Sequence, residues 1–509
     1  EEVAEATREL LCQVLEALPE GTITEVGVTG TGGRLVSEML DLPYENEFKA
    51  IARAIGALHP DVTTVFEMGG ETSKFINLET DAASGRVGIA DYGRLRSIQV
   101  EAHADIGGHS TLSPTVLWRS SVHAAGAYEI PNVRVDVYGH YTNKVPSGAY
   151  RGFGSPQVFI GIEGIIDDVA DHLKKDRLYL RKINALEKGK TTPTGHLLPE
   201  SVGAKKTLEE VERLSDWERL KERVAQFNRE HKHLKRGVGI AHIHYGVALG
   251  AMGHALDASG AFVNVLPDGS ISVHIGGTEM GQGAKTVIGA IVGEVLQQPM
   301  EKIHVYQTDT FFLPDSGPTV ASRTTVFSGN AAVLACQELL KTLTALYSTE
   351  MAVPPQSVRY TGGVFSNTEG QKPVGFGELA GIALKKNIGL CATGWFQTPR
   401  LTWDPENGFG EAYVTYSFAS QIVVVEVDCL TAEVVVKEVY TAHDVGKALN
   451  PDGVIGQIHG GFVQGMGYAL YENLKVNEKG KIVSDNFNTL TIPTIHETPE
   501  IFKVSIVEE

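Results

Sequence analysis

Residues 276–283 have the sequence GGTEMGQG and lie between two regular patterns. Before them, the runs 262–266 and 271–275 flank Pro267-Asp268-Gly269-Ser270, which predicts a β-hairpin. After them, residues 284–296 predict a helix whose positive N-terminus would face whatever the loop holds. Glycine lets a backbone approach a ligand closely, and glutamine offers both a donor and an acceptor. The segment therefore predicts a ligand-binding loop in an α/β fold.

Three further loops combine glycine with polar side chains in a similar way. They are GAYRGFGSPQ at 148–157, PTVASRT at 318–324 and GQIHGGFVQG at 456–465. Taken singly, each loop is compatible with a tight turn as well as with a ligand site. Four such loops in one chain favour one large polar ligand that they share.

The composition fits a folded protein and argues against several classes of function. The chain has 509 residues, enough for two to four domains. Its 44 Lys and Arg residues stand against 62 Asp and Glu residues, and the net charge of −18 disfavours nucleic-acid binding. No apolar run approaches the roughly 20 residues that cross a bilayer, so we expect no membrane span and a cytoplasmic location. The four cysteines are scattered, which argues against a disulfide framework and against a cysteine-based metal cluster.

The pattern of apolar residues changes along the chain. Short strands are predicted at 23–28 and 63–68, and longer strands begin near residue 93. A polar connector follows, in which apolar residues from Leu208 to Phe227 repeat every three or four positions and predict one amphipathic helix. Residues 421–427 and 434–440 predict a second hairpin.

From about Gly93 to the end, the sequence resembles the molybdenum-binding part of the xanthine dehydrogenase/aldehyde oxidase family of molybdenum hydroxylases. The motifs that carry the resemblance are AYRGFG at 149–154, GGTEMGQG at 276–283, TVASRTT at 319–325 and NPDGVIGQIHGG at 450–461. The resemblance implies two molybdopterin-binding α+β domains with mixed sheets. The first would span 93–235 and include the helical connector, and the second would span 236–509.

The resemblance also implies an activity, a cofactor and partners. The expected reaction is oxidative hydroxylation of a purine-like N-heterocycle or an aldehyde at a molybdenum-pterin centre, with molybdopterin or its cytosine dinucleotide as the pterin. Electrons would pass to [2Fe-2S] and FAD groups on partner domains or subunits, in a hetero-oligomer. Gly152 and Phe153 fill the loop in which carbon monoxide dehydrogenases carry a cysteine, which argues against CO oxidation. Because the pterin holds the metal in this family, no protein metal ligand is expected, and we interpret His123, His274 and His459 as structural.

Individual site residues follow from the resemblance as well. Arg151 matches a backbone contact to the metal's oxo group, and Phe153 matches a ring that stacks on a flat substrate, with core packing as the alternative. Arg119 matches a substrate-orienting arginine of purine-oxidising members, where it would stabilise developing negative charge. A solvent-facing ion pair is the alternative for Arg119. The positions implied to hold the cofactor are Gly152, Gly281, Gln282, Gly283, Val320, Ala321, Ser322 and Gln457.

Residues 22–92 resemble a different family, the ATPase activators of 2-hydroxyacyl-CoA dehydratases and benzoyl-CoA reductases in the actin-like ATPase superfamily. The matching stretches are TGTGGR at 29–34 and FEMGGETSK at 66–74. In that family, the Gly-Gly turn between two strands binds phosphate. An N-terminal Asp-Gly-Ser-Thr loop and the cluster-binding cysteine segment of that family are missing. We therefore expect residues 1–92 to form a partial actin-like ATPase segment that does not hydrolyse ATP.

The two resemblances meet at 91–94, which suggests either a chimera or a genuine fusion. The general base of the hydroxylase family is a glutamate in a Gly-Glu motif beyond the last strand, and this sequence stops at Val507-Glu508-Glu509. We therefore expect residues 1–509 to lack the catalytic glutamate. Two alternative functions stay open: an ATPase activator of an electron-transfer partner, and a non-catalytic chimeric fragment.

Overall fold

The computed structural model describes residues 64–68, 73–77, 87–89 and 93–509, except 314 and 478–479. The helices of this part are α1 (Ser113–His123), α2 (Ser155–His172), α3 (Arg177–Asn184), α4 (Ala204–Ser215), α5 (Trp217–Glu230), α6 (Ala284–Leu296), α7 (Thr324–Met351), α8 (Phe376–Lys385) and α9 (Pro451–Leu470). The strands are β1 (Thr64–Met68), β2 (Ser73–Asn77), β3 (Val87–Ile89), β4 (Leu95–Gly107), β5 (Asn132–Tyr141), β6 (Leu234–Gly246), β7 (Ala258–Val265), β8 (Ile271–Ile275), β9 (Ile303–Val305), β10 (Val358–Thr361), β11 (Val364–Asn367), β12 (Val374–Gly375), β13 (Cys391–Gln397), β14 (Trp403–Asp404), β15 (Phe409–Gly410), β16 (Tyr416–Asp428), β17 (Val434–Asp444) and β18 (Ile501–Val507).

The first sheet is mixed, with β4 at its centre. β4 runs parallel to β1 and β5 and antiparallel to β3, and β2 pairs antiparallel with β1. Alternate residues of β4, among them Val100 and Ala102, are buried in one cluster with Ile162 and Ile166 of α2. The strand predicted at 63–68 is confirmed as β1, and the sheet takes strands from both sides of residue 92. The other N-terminal predictions, including the strand at 23–28 and the TGTGGR stretch, lie outside the described residues.

The second sheet has the order β18-β17-β16-β6. The predicted hairpin at 421–440 is confirmed as β16 and β17, which pair antiparallel, whereas β18 joins β17 in parallel. Two helices, α4 and α5, contribute to the core of this sheet through Val211, Trp217 and Leu220. The prediction of one continuous helix there is wrong, because Asp216 adopts a left-handed φ of 50° and its N–H caps α4. The apolar spacing continues through the break, so both helices still turn an apolar face to the core.

The third sheet, β13-β7-β8-β9, lies in the chain between β6 and β16. The predicted hairpin around Pro267-Asp268-Gly269-Ser270 is confirmed as β7 and β8. Helix α7 crosses β13 so closely that a Cβ atom at Gly394 would lie 1.9 Å from the Ala331 carbonyl oxygen, which requires glycine there. Neither α7 nor any other helix in the described ranges combines the length and apolarity that a bilayer-spanning helix needs.

A buried ion pair ties the first sheet's helices to the second sheet. Arg181 of α3 is fully buried and donates to the Glu163 carboxylate of α2 at 2.9 Å and to the Ile240 carbonyl of β6 at 3.2 Å. The same carboxylate accepts the His242 N–H of β6 at 2.8 Å and the Tyr128 hydroxyl at 2.5 Å. Both oxygens of the buried carboxylate are thus hydrogen-bonded, which is the condition under which a buried pair is tolerated.

Neutral histidines form part of the same core. His123 and His244 stack at 4.7 Å, and both are fully buried, as is His242. Burial lowers the pKa of His242 and of His244 to about 3, and it lowers the pKa of His123 well below the usual range. His244 Nδ1 and His242 Nε2 have no hydrogen-bond partner among the described residues. The folded state therefore binds fewer protons at these rings than an unfolded chain does.

Removal of the Arg181 guanidinium should destabilise the fold strongly. Arg181→Ala leaves the Glu163 carboxylate buried without its partner, which costs about 3–5 kcal/mol. Thermal unfolding, followed by circular dichroism, measures the change. Arg213→Ala is the matched control, because Arg213 pairs with Glu210 on the exposed face of α4. A melting temperature of Arg181→Ala equal to that of the control would contradict this role.

The buried histidines should also make the fold acid-sensitive. Their folded pKa values lie below the unfolded value of 6.5, so their contribution to stability is complete above pH 6.5 and is lost as the pH falls towards 3. Each such ring removes about 1.4 kcal/mol per pH unit within that window. The free energy of unfolding, measured with denaturant at pH values between 7 and 5, should fall less steeply with falling pH in His244→Leu than in the parent protein. Phe418→Leu changes a core neighbour without a titrating group and should lower the free energy of unfolding by the same amount at every pH. The same pH dependence in both variants would refute the role of His244.

Candidate functional site

Two of the predicted loops meet the segment 456–465 around the Arg151 side chain. The prediction of a loop at 456–465 is wrong, because this segment lies inside α9 (Pro451–Leu470) and its glycines are part of the helix. Its guanidinium lies 3.3 Å from both the carbonyl and the side-chain oxygen of Gln457, and 3.4 Å from the side-chain oxygen of Gln464. The Gln457 amide then donates to the Gly281 carbonyl at 3.1 Å. Segments that are about 300 residues apart in sequence are therefore connected by two side chains.

The loop at 318–324 is held by one side-chain and one backbone acceptor. The Thr278 N–H donates to the Thr319 hydroxyl at 2.8 Å, and the Ala248 N–H donates to the Ala321 carbonyl at 2.8 Å. Ala321 and Ser322 have φ values of 58° and 54°, a left-handed backbone conformation that residues other than glycine rarely adopt. The chain therefore makes a sharp turn at these two residues.

The loop at 276–283 differs in one respect from the sequence prediction. The Glu279 carboxylate accepts the N–H groups of Gly281 at 2.8 Å, Gly283 at 3.0 Å and Lys285 at 3.1 Å, so it covers the N-terminus of α6. Burial by itself raises the pKa of Glu279, but these backbone N–H groups lower it more. The prediction that this helix end is free to face a ligand is therefore wrong, because a side chain of the loop already supplies the negative charge.

The Gln282 amide also binds within its own loop. Its oxygen accepts the Met280 N–H at 2.5 Å, and its nitrogen donates to the Thr278 carbonyl at 2.7 Å. Gly281 and Gly283 on either side have φ values of 96° and 84°, and a Cβ atom at either would meet no heavy atom within 4 Å. The loop is thus fixed from inside while the backbone at both glycines is open for approach.

Arg119 is buried and bound to backbone. It is 2% exposed, and its terminal nitrogens donate to the Gly246 and Ala248 carbonyls, both at 2.8 Å. Its guanidinium carbon lies 4.4 Å from the ring centre of Tyr245 and 4.7 Å from that of Tyr413. The alternative that Arg119 forms a solvent-facing ion pair is wrong, because the side chain lies inside the protein among rings and carbonyls.

Phe153 stands between Arg119 and the Arg151 cluster. Its ring is half-buried, its φ is 55°, and its centre lies 5.9 Å from the Arg119 guanidinium carbon. The next residue, Gly154, packs against α1 so tightly that a Cβ atom would lie 2.3 Å from the Val116 carbonyl oxygen. The Ser120 hydroxyl also binds the Gly154 carbonyl at 3.0 Å. Helix α1 therefore fixes the backbone next to Phe153.

A cavity of about 890 Å³ opens beside Arg151, between the 150–152 loop and α9. Its wall includes Tyr150, Ile160, Gln464, Tyr468 and Glu472. The Tyr150 hydroxyl donates to the Gln464 carbonyl at 2.8 Å, and burial together with the nearby Glu472 raises the pKa of Tyr150 to about 12. Tyr150 therefore stays neutral and acts as a hydrogen-bond donor across the physiological pH range.

The three histidines singled out in the sequence have aromatic neighbours. His123 bonds to the Arg119 carbonyl and to the Gly246 N–H, His274 stacks on Tyr306 at 4.8 Å, and His459 meets the Phe502 ring at 4.5 Å. Within the described ranges, no group of three or more His, Cys, Asp or Glu side chains is arranged to hold a metal ion.

Several residues of this site were missed by the sequence analysis. Glu279 lies inside the GGTEMGQG motif and was passed over, although a carboxylate just before a helix is a common N-terminal signal. Tyr245 and Asp257 belong to no motif, and only the fold brings them to the loops. Arg323 directly follows the 320–322 stretch, but sequence alone does not show which way its side chain turns.

Two family models match the chain, and both carry the description "Molybdopterin cofactor-binding domain". One matches residues 210–499 and the other matches residues 79–185. Together they include all four glycine-rich segments described above.

Xanthine dehydrogenases are among the proteins with similar sequences. The xanthine dehydrogenase of Drosophila subobscura is 32% identical over 423 residues, which cover 83% of this chain and 30% of that protein. The xanthine dehydrogenase/oxidase of Mus musculus is 31% identical over 429 residues, which cover 84% of this chain and 30% of that protein. This chain thus spans less than a third of the length of these relatives.

Solved structures agree in fold. The aldehyde oxidoreductase from Desulfovibrio desulfuricans has a TM-score of 0.69 at 26% identity, covering 82% of this chain and 42% of that chain. Quinoline 2-oxidoreductase from Pseudomonas putida has a TM-score of 0.72 at 22% identity, covering 82% and 53%, and its likeness concerns the fold alone. Since one family model alone matches more than half of the residues, the chain belongs to the molybdopterin cofactor-binding domain family.

Proposed function

We propose that this chain is the cofactor-holding part of a molybdenum hydroxylase that oxidatively hydroxylates a purine-like N-heterocycle or an aldehyde. The observation that carries the proposal is the contact between three loops and the 456–465 segment of α9. Arg151 binds Gln457, Gln457 binds Gly281, and Thr278 binds Thr319. Segments from distant parts of a chain converge where a large polar ligand has to be held from several sides.

The residues present fit a molybdenum-pterin cofactor. Gly281 and Gly283 leave the backbone open to a flat ligand, and the Gln457 amide offers both donor and acceptor to mixed polar edges. The residues proposed to hold it, in two domains at 93–235 and 236–509, are Gly152, Gly281, Gln282, Gly283, Val320, Ala321, Ser322 and Gln457. Arg151 is proposed to orient the metal end. When bound, the cofactor would supply the metal centre at which the substrate is oxidised.

Phe153 and Arg119 support a flat, electron-poor substrate. The Phe153 ring is half-buried, and the α1 contact holds the backbone of the next residue, which suits stacking. The terminal nitrogens of Arg119 are committed to two backbone carbonyls, so we expect it to act on developing negative charge through its field rather than through a direct hydrogen bond.

Electrons are proposed to leave through [2Fe-2S] and FAD groups on partner domains or subunits. The described cysteines support this division of labour, because Cys336 is buried alone and Cys391 and Cys429 are separately exposed. Iron–sulfur clusters are held by grouped thiolates, so the clusters would belong to other parts of a cytoplasmic hetero-oligomer.

The ATPase-activator resemblance stays a proposal for residues 22–92. Its phosphate-binding stretch at 29–34 and the turn at 69–72 lie outside the described residues. The strands on either side of that turn, β1 and β2, pair antiparallel, as a hairpin requires. ATP hydrolysis is not part of the proposed function.

The proposed function predicts that the cofactor purifies with the protein. Protein that contains this chain, produced in a host that makes molybdopterin, should carry equimolar molybdenum and pterin. Gln457→Ala removes the amide that connects Gly281 with Arg151 and should weaken cofactor retention roughly tenfold. Metal analysis by mass spectrometry and pterin fluorescence after oxidation measure both.

The control is Gln226→Ala, which removes a surface contact to Glu230 on α5. This control should retain molybdenum and pterin as the parent does. Parent protein that purifies with neither component would refute the proposed function.

Phe153→Leu separates stacking from core packing. Leucine keeps the apolar bulk but lacks the flat ring, so kcat/KM for a heterocyclic substrate should fall roughly tenfold while the melting temperature stays nearly unchanged. Steady-state kinetics and thermal unfolding measure the two quantities. Phe487→Leu, at a ring that is 79% exposed, serves as control. A lower melting temperature with unchanged kcat/KM would favour packing instead.

A further inference from the structure

We propose that Asp257 and Arg323 are positioning residues that hold the 318–322 loop in its left-handed form for the cofactor. This inference rests on the proposed function. It concerns a buried ion pair outside the residues assigned to the cofactor above. The pair acts through the backbone of the loop and not by touching the ligand.

Arg323 uses all five of its N–H donors. The side chain is 3% exposed, and its Nε donates to the Asp257 carboxylate at 3.0 Å. The other four donors bind backbone carbonyls, those of Ser316, Pro318, Leu256 and Ala258. Two of these carbonyls belong to the loop's N-terminal arm and two to the segment that enters β7. The guanidinium therefore clamps the loop to the third sheet.

Asp257 extends the clamp to a second segment. Its carboxylate is 2% exposed and accepts the N–H groups of Leu249 at 3.0 Å and Gly250 at 3.2 Å. These residues follow Ala248, whose N–H binds the Ala321 carbonyl and whose own carbonyl binds Arg119. The loop is therefore fixed at its start by Arg323 and at Ala321 through the 248–250 segment.

The backbone conformation explains why such bracing is needed. Ala248, Ala321 and Ser322 all have φ between 54° and 73°, although none is glycine. A strained residue of this kind is unfavourable by itself and persists only where its surroundings fix it. A loop that is already in its binding shape loses less freedom when the ligand arrives, which strengthens binding. The ion pair thus holds the loop in its binding conformation before the ligand arrives.

Another buried arginine provides a matched comparison. Arg181 is also fully buried, pairs with a carboxylate and binds backbone carbonyls. Its partners lie in α2 and β6, and none of them is in a glycine-rich loop. Loss of either guanidinium should destabilise the fold, but only loss of Arg323 should disturb cofactor retention.

The test compares Arg323→Lys and Asp257→Asn with Arg181→Lys in the natural protein that contains this chain. Each variant is purified, and its melting temperature is determined on one sample. A second sample is dialysed, and the molybdenum and pterin that it retains are measured. Arg323→Lys and Asp257→Asn should retain the cofactor roughly tenfold less well than the parent, whereas Arg181→Lys should match the parent despite a lower melting temperature. Adding Ala321→Gly to Arg323→Lys should restore part of the retention, because glycine adopts this φ without strain.

Equal retention in Arg323→Lys and Arg181→Lys would overturn the inference. Amide hydrogen exchange of cofactor-free protein separates this failure from a failure of the proposed function. Faster exchange at 318–323 in Arg323→Lys, but not in Arg181→Lys, supports the positioning role even if the parent purifies without molybdenum. Unchanged exchange there in both variants would refute it.

Discussion

Buried guanidinium groups that bind backbone carbonyls are the interaction on which this structure depends. A glycine-rich loop contributes few side chains to a core, so something else has to fix its backbone and satisfy its polar groups. Arg119, Arg181 and Arg323 do so from inside the protein, each with donors in a rigid planar fork. Two of them hold segments that meet at the proposed cofactor site, and the third joins the helices of the first sheet to the second.

The same constraint explains why the site is built from loops on three sheets. Each of these segments is anchored by a helix: α2 begins within the first, α6 follows the second, α7 begins at the end of the third, and 456–465 lies inside α9. The contacts between loops are then few and specific, such as the Gln457 amide on the Gly281 carbonyl. A ligand held in this way touches backbone from several directions, which matches the family to which the chain belongs.

Local patterns predicted a good part of this arrangement, and tertiary contacts decided the remainder. Both hairpins followed from turn residues and apolar spacing, and the family followed from the resemblance that the motifs carry. The break at Asp216 did not, because the apolar spacing is the same on both sides of it. The burial of Arg119 and the Asp257–Arg323 pair depend on β6 and β7 lying side by side with these loops, and no spacing in the sequence encodes that. Glu279 was visible but was assigned to the loop and not to the helix that it caps.

The position of the third sheet in the chain has a consequence for the order of assembly. Strands β7 to β13 and helices α6 to α8 all lie between β6 and β16, which pair with each other from Leu234–Asp428 to Gly246–Tyr416. During synthesis, about 170 residues are added after β6 before its partner β16 is made. The inserted unit can form its core in this interval, because that core consists of contacts within the unit. The GGTEMGQG and 318–322 loops would then form within this unit, and the 456–465 segment of α9, which is synthesised later, would reach them last.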